Sequence, residues 1–363
     1  VSAATPGRRL KGGESIAALL VRPADAVSDA VEGTLPLFSG AVLWYGGPPR
    51  TAVGSARLER TTMSLLVTGS IGIDTVETPT GKVADVLGGS SVYFSYAASF
   101  FAPVRFVGVI GEDAPADFLQ PLRDNARVDM AGLEVRKGSR TFRWHGRYHV
   151  DVNERDTVNV ELNVLGEKGP TIPQSFRDSR FVFLANTHPA LQIELVGQLD
   201  DPALVVADTM DLWITNERET LLRLMGMLDG LVLNDSEAKL LTGKSNVVAA
   251  GLEIAEQVKR FVIVKKGEHG SLLFADRRVS ALPSYPTVNV VDPTGAGDSF
   301  AGAMMGYLAS VDRIDAQALR RGVACGTVTA SFCLEDFSLR RFQGTSREEI
   351  DRRLDEFQDL LRF

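Results

Sequence analysis

The sequence predicts an α/β protein: a mostly parallel sheet sandwiched by helices, with a small antiparallel β insertion. Three observations carry this. From Phe181 onward, short apolar runs alternate with helix-like stretches, the order that builds a parallel sheet covered on both faces. Between residues 133 and 165 the pattern changes to a two-residue alternation, the period of a half-exposed sheet. Residues 288–305 read as a strand over Val288–Val291, a glycine-rich turn and the first part of a buried helix starting at Ser299 and running to Ala309. In open α/β sheets, ligands bind beyond the carboxyl ends of strands.

Composition bounds the reading. A chain of 363 residues, 44% hydrophobic and 23% charged, has room for one large α/β domain and a small addition. A net charge of −7 argues against general nucleic-acid binding. No apolar run approaches the roughly 18 residues of a membrane span, so neither nucleic acid nor membrane is an expected partner. Cys325 and Cys333 fall on one expected helix. Alone they cannot form a metal site, and they read as core residues of a protein in a reducing, cytoplasmic compartment.

Taken in order, residues 1–62 hold scattered Gly, Pro and Arg without a sustained period. They are expected to be a loosely ordered extension, or an artefact of start-site choice with Met63 the natural start. The domain then runs over 63–363. Ser64–Thr68 reads as its first strand. Asp74 follows, a carboxylate placed beyond a strand end to accept from hydroxyl groups, or simply a turn aspartate. Gly88-Gly89-Ser90-Ser91 leads into a helix over Val92–Phe101, and the missing Cβ atoms leave the backbone open to a close approach. Val104–Val109 is the next strand.

Thr141–Val150 and Thr157–Val164 alternate, with the turn Asp151–Asp156 between them. Phe142, Trp144, Tyr148 and Val150 share one face of the first strand; Arg143, His145, Arg147 and His149 share the other. Four residues along a strand separate His145 from His149 by roughly 13 Å, too far to share a metal. The apolar face of this meander, including Val158, Val160 and Leu162, is too apolar to stay wetted. It is expected to pack against a second copy, giving a homodimer, or to close on its own chain.

Strands are expected at Phe181–Ala185, Leu204–Ala207, Gly230–Leu233 and Phe261–Val264. Polar residues follow their ends: Asn186, Asp208, Asn234, and Lys265 with Lys266. Asn234 and Glu237 have the spacing of a helix cap with its reciprocal acid. Lys265 precedes a turn containing Gly267 and Gly270. Leu319–Phe332 is the last core helix, with a small-residue face, and Ser346–Leu361 is an amphipathic helix with a capping start.

In the turn Gly295-Ala296-Gly297-Asp298, small residues leave backbone N–H groups bare where a helix begins. Such a terminus attracts an anion and favours an ionised Asp298. A carboxylate there can take a proton from a hydroxyl while the hole holds the phosphoryl group that the hydroxyl attacks. A dinucleotide fingerprint is the rival. Its third glycine would have to come earlier than Gly302, and no acidic residue ends a strand about 20 residues on.

The stretch Asp292-Pro293-Thr294-Gly295-Ala296-Gly297-Asp298, followed by Gly302-Ala303, resembles the second signature of the ribokinase (PfkB-type) carbohydrate kinase family. Gly69-Ser70-Ile71-Gly72-Ile73-Asp74, Gly88-Gly89, Asn234-Asp235-Ser236-Glu237 and Lys265-Lys266-Gly267-Glu268-His269-Gly270 resemble its other motifs. The resemblance spans 63–363. It implies a ribokinase-like fold whose small β-sheet lid is built from about 75–87 and 133–165.

It further implies an ATP-dependent kinase acting on a sugar or a nucleoside. Asp298 would be general base, with the N–H groups of Gly295, Ala296 and Gly297 as anion hole. Asp74, Gly88 and Gly89 would meet substrate. Asn234, Glu237, Lys265, Gly267 and Thr294 would meet ATP. Glu237 would reach Mg2+ through water, and a monovalent cation such as K+ would sit near Asp292 and Thr294. The chain departs from the pattern at Tyr93, where the family usually has Asn, and at Lys265, where it usually has Thr. Tyr93 would offer a flat surface for a base or ring, or pack inside its helix. Two other classes stay open: a non-catalytic sugar- or nucleotide-binding regulatory protein of the same fold, and a nicotinamide-dependent oxidoreductase.

Overall fold

The computed structural model describes residues 64–362, and the expected extension over 1–62 lies outside them. Nine strands form the main sheet: β1 (Leu65–Thr68), β4 (Val104–Gly111), β5 (Val128–Arg136), β8 (Phe181–Leu184), β9 (Leu204–Asp208), β10 (Gly230–Asn234), β11 (Phe261–Lys265), β12 (Ser271–Ala275) and β13 (Arg278–Leu282). Their order is β13-β12-β11-β10-β9-β8-β1-β4-β5. All neighbours are parallel except β11–β12 and β12–β13. The inner strands are apolar on both faces because both faces are covered. Leu65, Val67, Phe181, Phe183, Phe261 and Ile263 point into one core with the helices Ser90–Ser99, Ala296–Val311, Ala316–Cys333 and Arg347–Leu360. Leu66, Val182, Leu184, Val262 and Val264 point into the other, with Arg218–Met225, Asp235–Thr242 and Val247–Ala255.

A second sheet of four strands has the order β3-β2-β6-β7. Its members are β2 (Gly72–Thr78), β3 (Gly81–Gly88), β6 (Phe142–Tyr148) and β7 (Arg155–Glu161). β2–β3 and β6–β7 are antiparallel hairpins, and β2 pairs β6 in parallel. This sheet closes on the body of its own chain. Val76 and Tyr148 cluster with Phe337, with Val83, Trp144 and Val291 packed around them. Thr80 Oγ1 donates to the Val291 carbonyl at 3.0 Å, and Ser338 Oγ donates to the Leu87 carbonyl at 2.5 Å.

Several expectations need correcting. Val288–Val291 is not a strand. The amides of Val291 and Asp292 both go to the Leu334 carbonyl, so the segment is tied to a helix end rather than a ladder, and strand propensity alone makes no strand. The following helix begins at Ala296 rather than Ser299, which puts Asp298 in its first turn. Asp74 lies within β2, not beyond a strand end. Residues 133–136 belong to β5 at the edge of the main sheet, so the small sheet starts later than 133. The alternation over Thr157–Val164 is broken by a register shift at His145/Gly146 and by a turn over Asn163–Gly166 that buries Val164 completely in the body. The hairpin β12–β13 went unanticipated. Its turn residues Asp276 and Arg277 have φ of 52° and 59°, a primed turn without the glycine that normally marks one.

Close helix packing fixes the geometry that matters for function. A Cβ on Gly302 would overlap the backbone of Phe94, and one on Gly306 the backbone of Ala98. The helix that carries Asp298 therefore meets the helix Ser90–Ser99 backbone to backbone. That contact sets Asp298 relative to the Gly88-Gly89 turn.

Candidate active site

The site is assembled at the carboxyl ends of the parallel strands, under the small sheet. Gly295 caps the helix Ala296–Val311 with φ of 78°, a left-handed conformation that glycine adopts at no steric cost. The Ala296 amide goes back to the Pro293 carbonyl at 3.2 Å and the Ser299 amide to Gly295 at 2.8 Å. That leaves the Gly297 N–H as a first-turn donor the turn does not use. Beside it stands Lys265: its Nζ is 2.5 Å from where a Cβ on Gly297 would lie. The end of β11 thus delivers an ammonium to the start of the helix, and Gly297 leaves room for it.

Five carboxyl groups share this neighbourhood. Burial raises the pKa of Asp298, opposed by the positive charges of Lys265 and then Arg155. Burial and the charge of Asp298 push Asp208 well above the carboxylate range, with Lys265 again opposing. Glu237 is raised by burial. Asp292 is pushed to about 6 by burial, against the Thr294 hydroxyl and amide. Asp74 is pushed to about 8, by burial first and then by the charges of Asp292 and Asp298. Asp74 Oδ1, Asp208 Oδ1 and Asp292 Oδ2 are buried without a hydrogen-bond partner. Buried polar atoms left unpaired are costly, and their clustering points to ligands with donors or positive charge.

The expected residues fall as follows. Gly88 leaves its gap to Asp74, because a Cβ there would overlap that carboxyl group. The Gly89 N–H donates to it, from a backbone with φ of 103°. The Gly-Gly turn therefore seats the Asp74 carboxylate. Tyr93 is only 1% exposed, and its ring lies where a Cβ on Gly295 would be. It supports the turn from below and has no open face, so the expectation of a flat stacking surface there is corrected. Asn234 and Glu237 form a reciprocal cap, with Asn234 Oδ1 accepting from the Glu237 amide at 2.8 Å and Glu237 Oε2 accepting from the Asn234 amide at 2.7 Å. Glu237 nevertheless feels the charges of Lys265 and Arg155, so one side chain both caps and faces the site. Gly267 meets the other sheet, since a Cβ there would overlap Asn153 Oδ1 in the β6–β7 turn.

Sequence reading missed two residues that reach this neighbourhood, Arg155 and Tyr148, and marked Asp208 by position alone. Arg155 sits at the start of β7 and its charge reaches Asp298 and Glu237. The Thr294 hydroxyl donates to Tyr148 Oη at 3.2 Å. Arg155 fell in an expected turn, and Tyr148 read as one of several apolar-face residues. Only the fold brings either to the helix start. Asp208 had one signal, its place after a strand end. No group of three or more His, Cys, Asp or Glu among the described residues is arranged to hold a metal directly. A divalent ion would be held through water and phosphate oxygens, as Mg2+ usually is.

Comparison with known proteins agrees. Residues 81–333 match the model of the pfkB family of carbohydrate kinases. The chain is 29% identical over 257 residues to the cytidine kinase of Thermococcus kodakarensis, covering 69% of this chain and 89% of that protein. It is 28% identical over 254 residues to fructokinase-1 of Oryza sativa subsp. japonica, covering 62% and 76%. The solved nucleoside kinase of Methanocaldococcus jannaschii, an archaeal member of the ribokinase family, matches with a TM-score of 0.64 at 18% identity, over 81% of this chain and 98% of that one. The fold is ribokinase-like, and the protein is a phosphotransferase with an alcohol acceptor. The chain belongs to the pfkB family of carbohydrate kinases.

Proposed function

We propose that this chain transfers the γ-phosphoryl group of ATP to a hydroxyl of a small sugar or nucleoside, with Asp298 as general base. One observation carries the reading: Asp298 sits in the first turn of a helix where the Lys265 ammonium stands against Gly297. A carboxylate and a positive anion site are thus side by side, as proton removal and phosphoryl capture require. Burial lifts the Asp298 pKa towards the working range of a base. The acceptor hydroxyls fit Asp74, which at a pKa of about 8 is largely protonated at pH 7 and so also able to donate. Mg2+ fits a site with more carboxylates than cations, and when bound it would spread phosphate charge. The buried, unpartnered Asp292 Oδ2 fits a monovalent cation such as K+. The relatives' named activities, on cytidine and on fructose, span both acceptor classes.

The test is ATP-dependent turnover against a panel of sugars and nucleosides. Asp298→Ala should lower kcat by about 10²–10⁴ with ATP affinity little changed. Near-normal turnover in that variant removes Asp298 from the mechanism. Every site residue named above lies within 64–362, so a chain starting at Met63 should be an active kinase unit. Val158, Val160 and Leu162, 40–46% exposed at or just beyond the edge strand β7, favour a dimer through the lid. Light scattering and the turnover assay, both run on the Met63 chain, address the two points. A monomer overturns the dimer, and lost turnover overturns the domain boundary.

A further inference from the structure

The four-stranded sheet turns two chemically different faces to its surroundings. One is ionic: Glu77 accepts from Lys82 at 2.7 Å and from Arg147 at 2.7 Å, and lies 3.0 Å from His145. The other faces the cleft, because it carries Asp74, whose charge is felt together with those of Asp292 and Asp298. Register assigns the cleft face. Gly72 pairs Phe142, Asp74 pairs Trp144 and Val76 pairs Gly146, and side-by-side residues of paired strands share a face. On these stretches of β2 and β6, the cleft face is therefore Gly72, Asp74, Val76, Phe142, Trp144 and Gly146. It holds one polar side chain, Asp74, in an otherwise apolar wall.

Within that wall Trp144 is held flat. A Cβ on Gly146 would overlap the six-membered part of the Trp144 indole, so the indole lies along the strand over the place where a side chain would stand. Glycine at position 146 makes this possible, and a strand glycine often marks a close approach of this kind. The indole is half-exposed, and its Nε1 donates to Thr157 Oγ1 at 3.4 Å. The Arg155 guanidinium stands 5.6 Å from the ring centroid, near the outer limit of a cation–π contact.

Resting on the kinase reading above, we propose that Trp144 is a stacking platform for a nucleobase and that the preferred acceptor is a nucleoside. The wall fits a ligand with two unlike ends. Ribose hydroxyls meet Asp74, and a planar ring lies on the neighbouring indole, one strand away, about 5 Å. A free sugar has hydroxyls around its whole rim, and past Asp74 this part of the lid offers them only Val76, Phe142, Trp144 and Gly146, leaving those hydroxyls unpaired there. Aromatic stacking is selective for a flat π-surface but tolerant of which base supplies it. Thr157 at the ring's Nε1 edge is placed to meet a polar group on the base, and the Arg155 guanidinium, over the ring, would swing aside to admit the base and meet its edge.

The experiment uses the full chain, with cytidine, inosine, ribose and fructose as acceptors in steady-state assays. Nucleoside binding is also measured by calorimetry without ATP. The wild type should favour a nucleoside. Trp144→Ala and Trp144→Leu should each lower the nucleoside-to-ribose ratio of kcat/KM by about 10–100-fold, the scale of one base–aromatic stack, chiefly through KM. Trp144→Phe, which keeps a π-face, should restore most of the ratio. Trp144→Leu keeps apolar bulk, so it reports on stacking even if the alanine variant fails to fold. A preference for free sugar, or a ratio unmoved in the leucine variant, overturns the proposal. If no acceptor is phosphorylated but nucleosides bind in a Trp144-dependent way, the kinase reading fails while the stacking platform stands.

Discussion

The nine-stranded body and the four-stranded lid place functional residues by different rules. In the body each strand end or helix start delivers a residue within its own short segment: Asp208 closes β9, Asn234 closes β10, Lys265 closes β11, and Asp298 opens a helix. In the lid, position depends on register between segments far apart in the chain. Asp74 stands beside Trp144, and Glu77 beside His145 and Arg147, only because β2 pairs β6 in one register. A shift by one residue would put Asp74 and Trp144 on opposite faces of the sheet. On the proposed roles, the transfer chemistry is anchored in the body, and recognition is written across strand pairs in the lid.

If this division holds, removing body charges should hurt the chemical step most. Asp298→Ala, at about 10²–10⁴ in kcat, is the largest effect expected. Next is Lys265→Ala, with a loss of about 10²-fold, typical of removing one group that stabilises developing charge. It also removes the stronger of the two cations that oppose the raised pKa of Asp298. A base works when deprotonated, so the rise of kcat/KM with pH should move to higher pH. Arg155→Ala should shift the profile in the same direction, with a loss of only about tenfold, the scale of one charged hydrogen bond. A larger loss for Arg155 than for Lys265 would reverse the comparison and make a lid residue central to transfer.

The body was the legible half. Its buried strands read as apolar runs, and the turn at Gly295–Gly297 announced itself by composition, because an anion site at a helix start needs small residues in sequence. The lid was legible as a meander, down to which residues of β6 share a face. What could not be read was register. Nothing local in Arg155 or Tyr148 says that pairing will bring them over Thr294 and Asp298. The same limit explains Gly88, whose gap looks like room for substrate until the fold fills it with Asp74. It also explains Tyr93, whose departure from the family pattern reads as a substrate contact until the fold buries it under Gly295.

Proton linkage sharpens the contrast without any substrate. The folded-state pKa of Asp74, about 8, lies above its ordinary 3.8. The native state therefore holds a proton that the unfolded chain releases. The stability this contributes is fully present below about pH 4 and is lost as pH rises through about 8. Asp292, raised to about 6, adds to the fall over the lower part of that window. The melting temperature should drop between pH 5 and pH 8, and Asp74→Asn should flatten that slope and melt higher than wild type at pH 8. An unchanged slope in Asp74→Asn would mean that Asp74 is ionised throughout and that the lid carboxyl is better solvated than its burial implies.

The smallest effect concerns how the lid is held down. The Thr294 hydroxyl donates to Tyr148 Oη at 3.2 Å, a direct link from the lid to the motif that carries Asp298. Its position invites a catalytic role, but the packing around it argues for less. The Tyr148 ring lies in a cluster with Val76 and Phe337, and that apolar contact survives removal of the hydroxyl. A neutral hydrogen bond at this length contributes on the order of 0.5–1.5 kcal/mol net, and Thr294 lies in a half-buried turn where water can replace the lost acceptor. Tyr148→Phe should therefore change kcat by less than about threefold, within the range of that single bond. Phe337→Ala empties a buried site, typically at about 3–5 kcal/mol for phenylalanine to alanine, and should loosen closure and raise KM more than Tyr148→Phe does. The two variants, assayed together, separate a lid held by packing from one held by the Thr294 contact. If the phenylalanine variant at 148 lost activity by 30-fold or more while Phe337→Ala stayed near wild type, the phenol would have to touch the reacting groups, and part of the chemistry would belong to the lid.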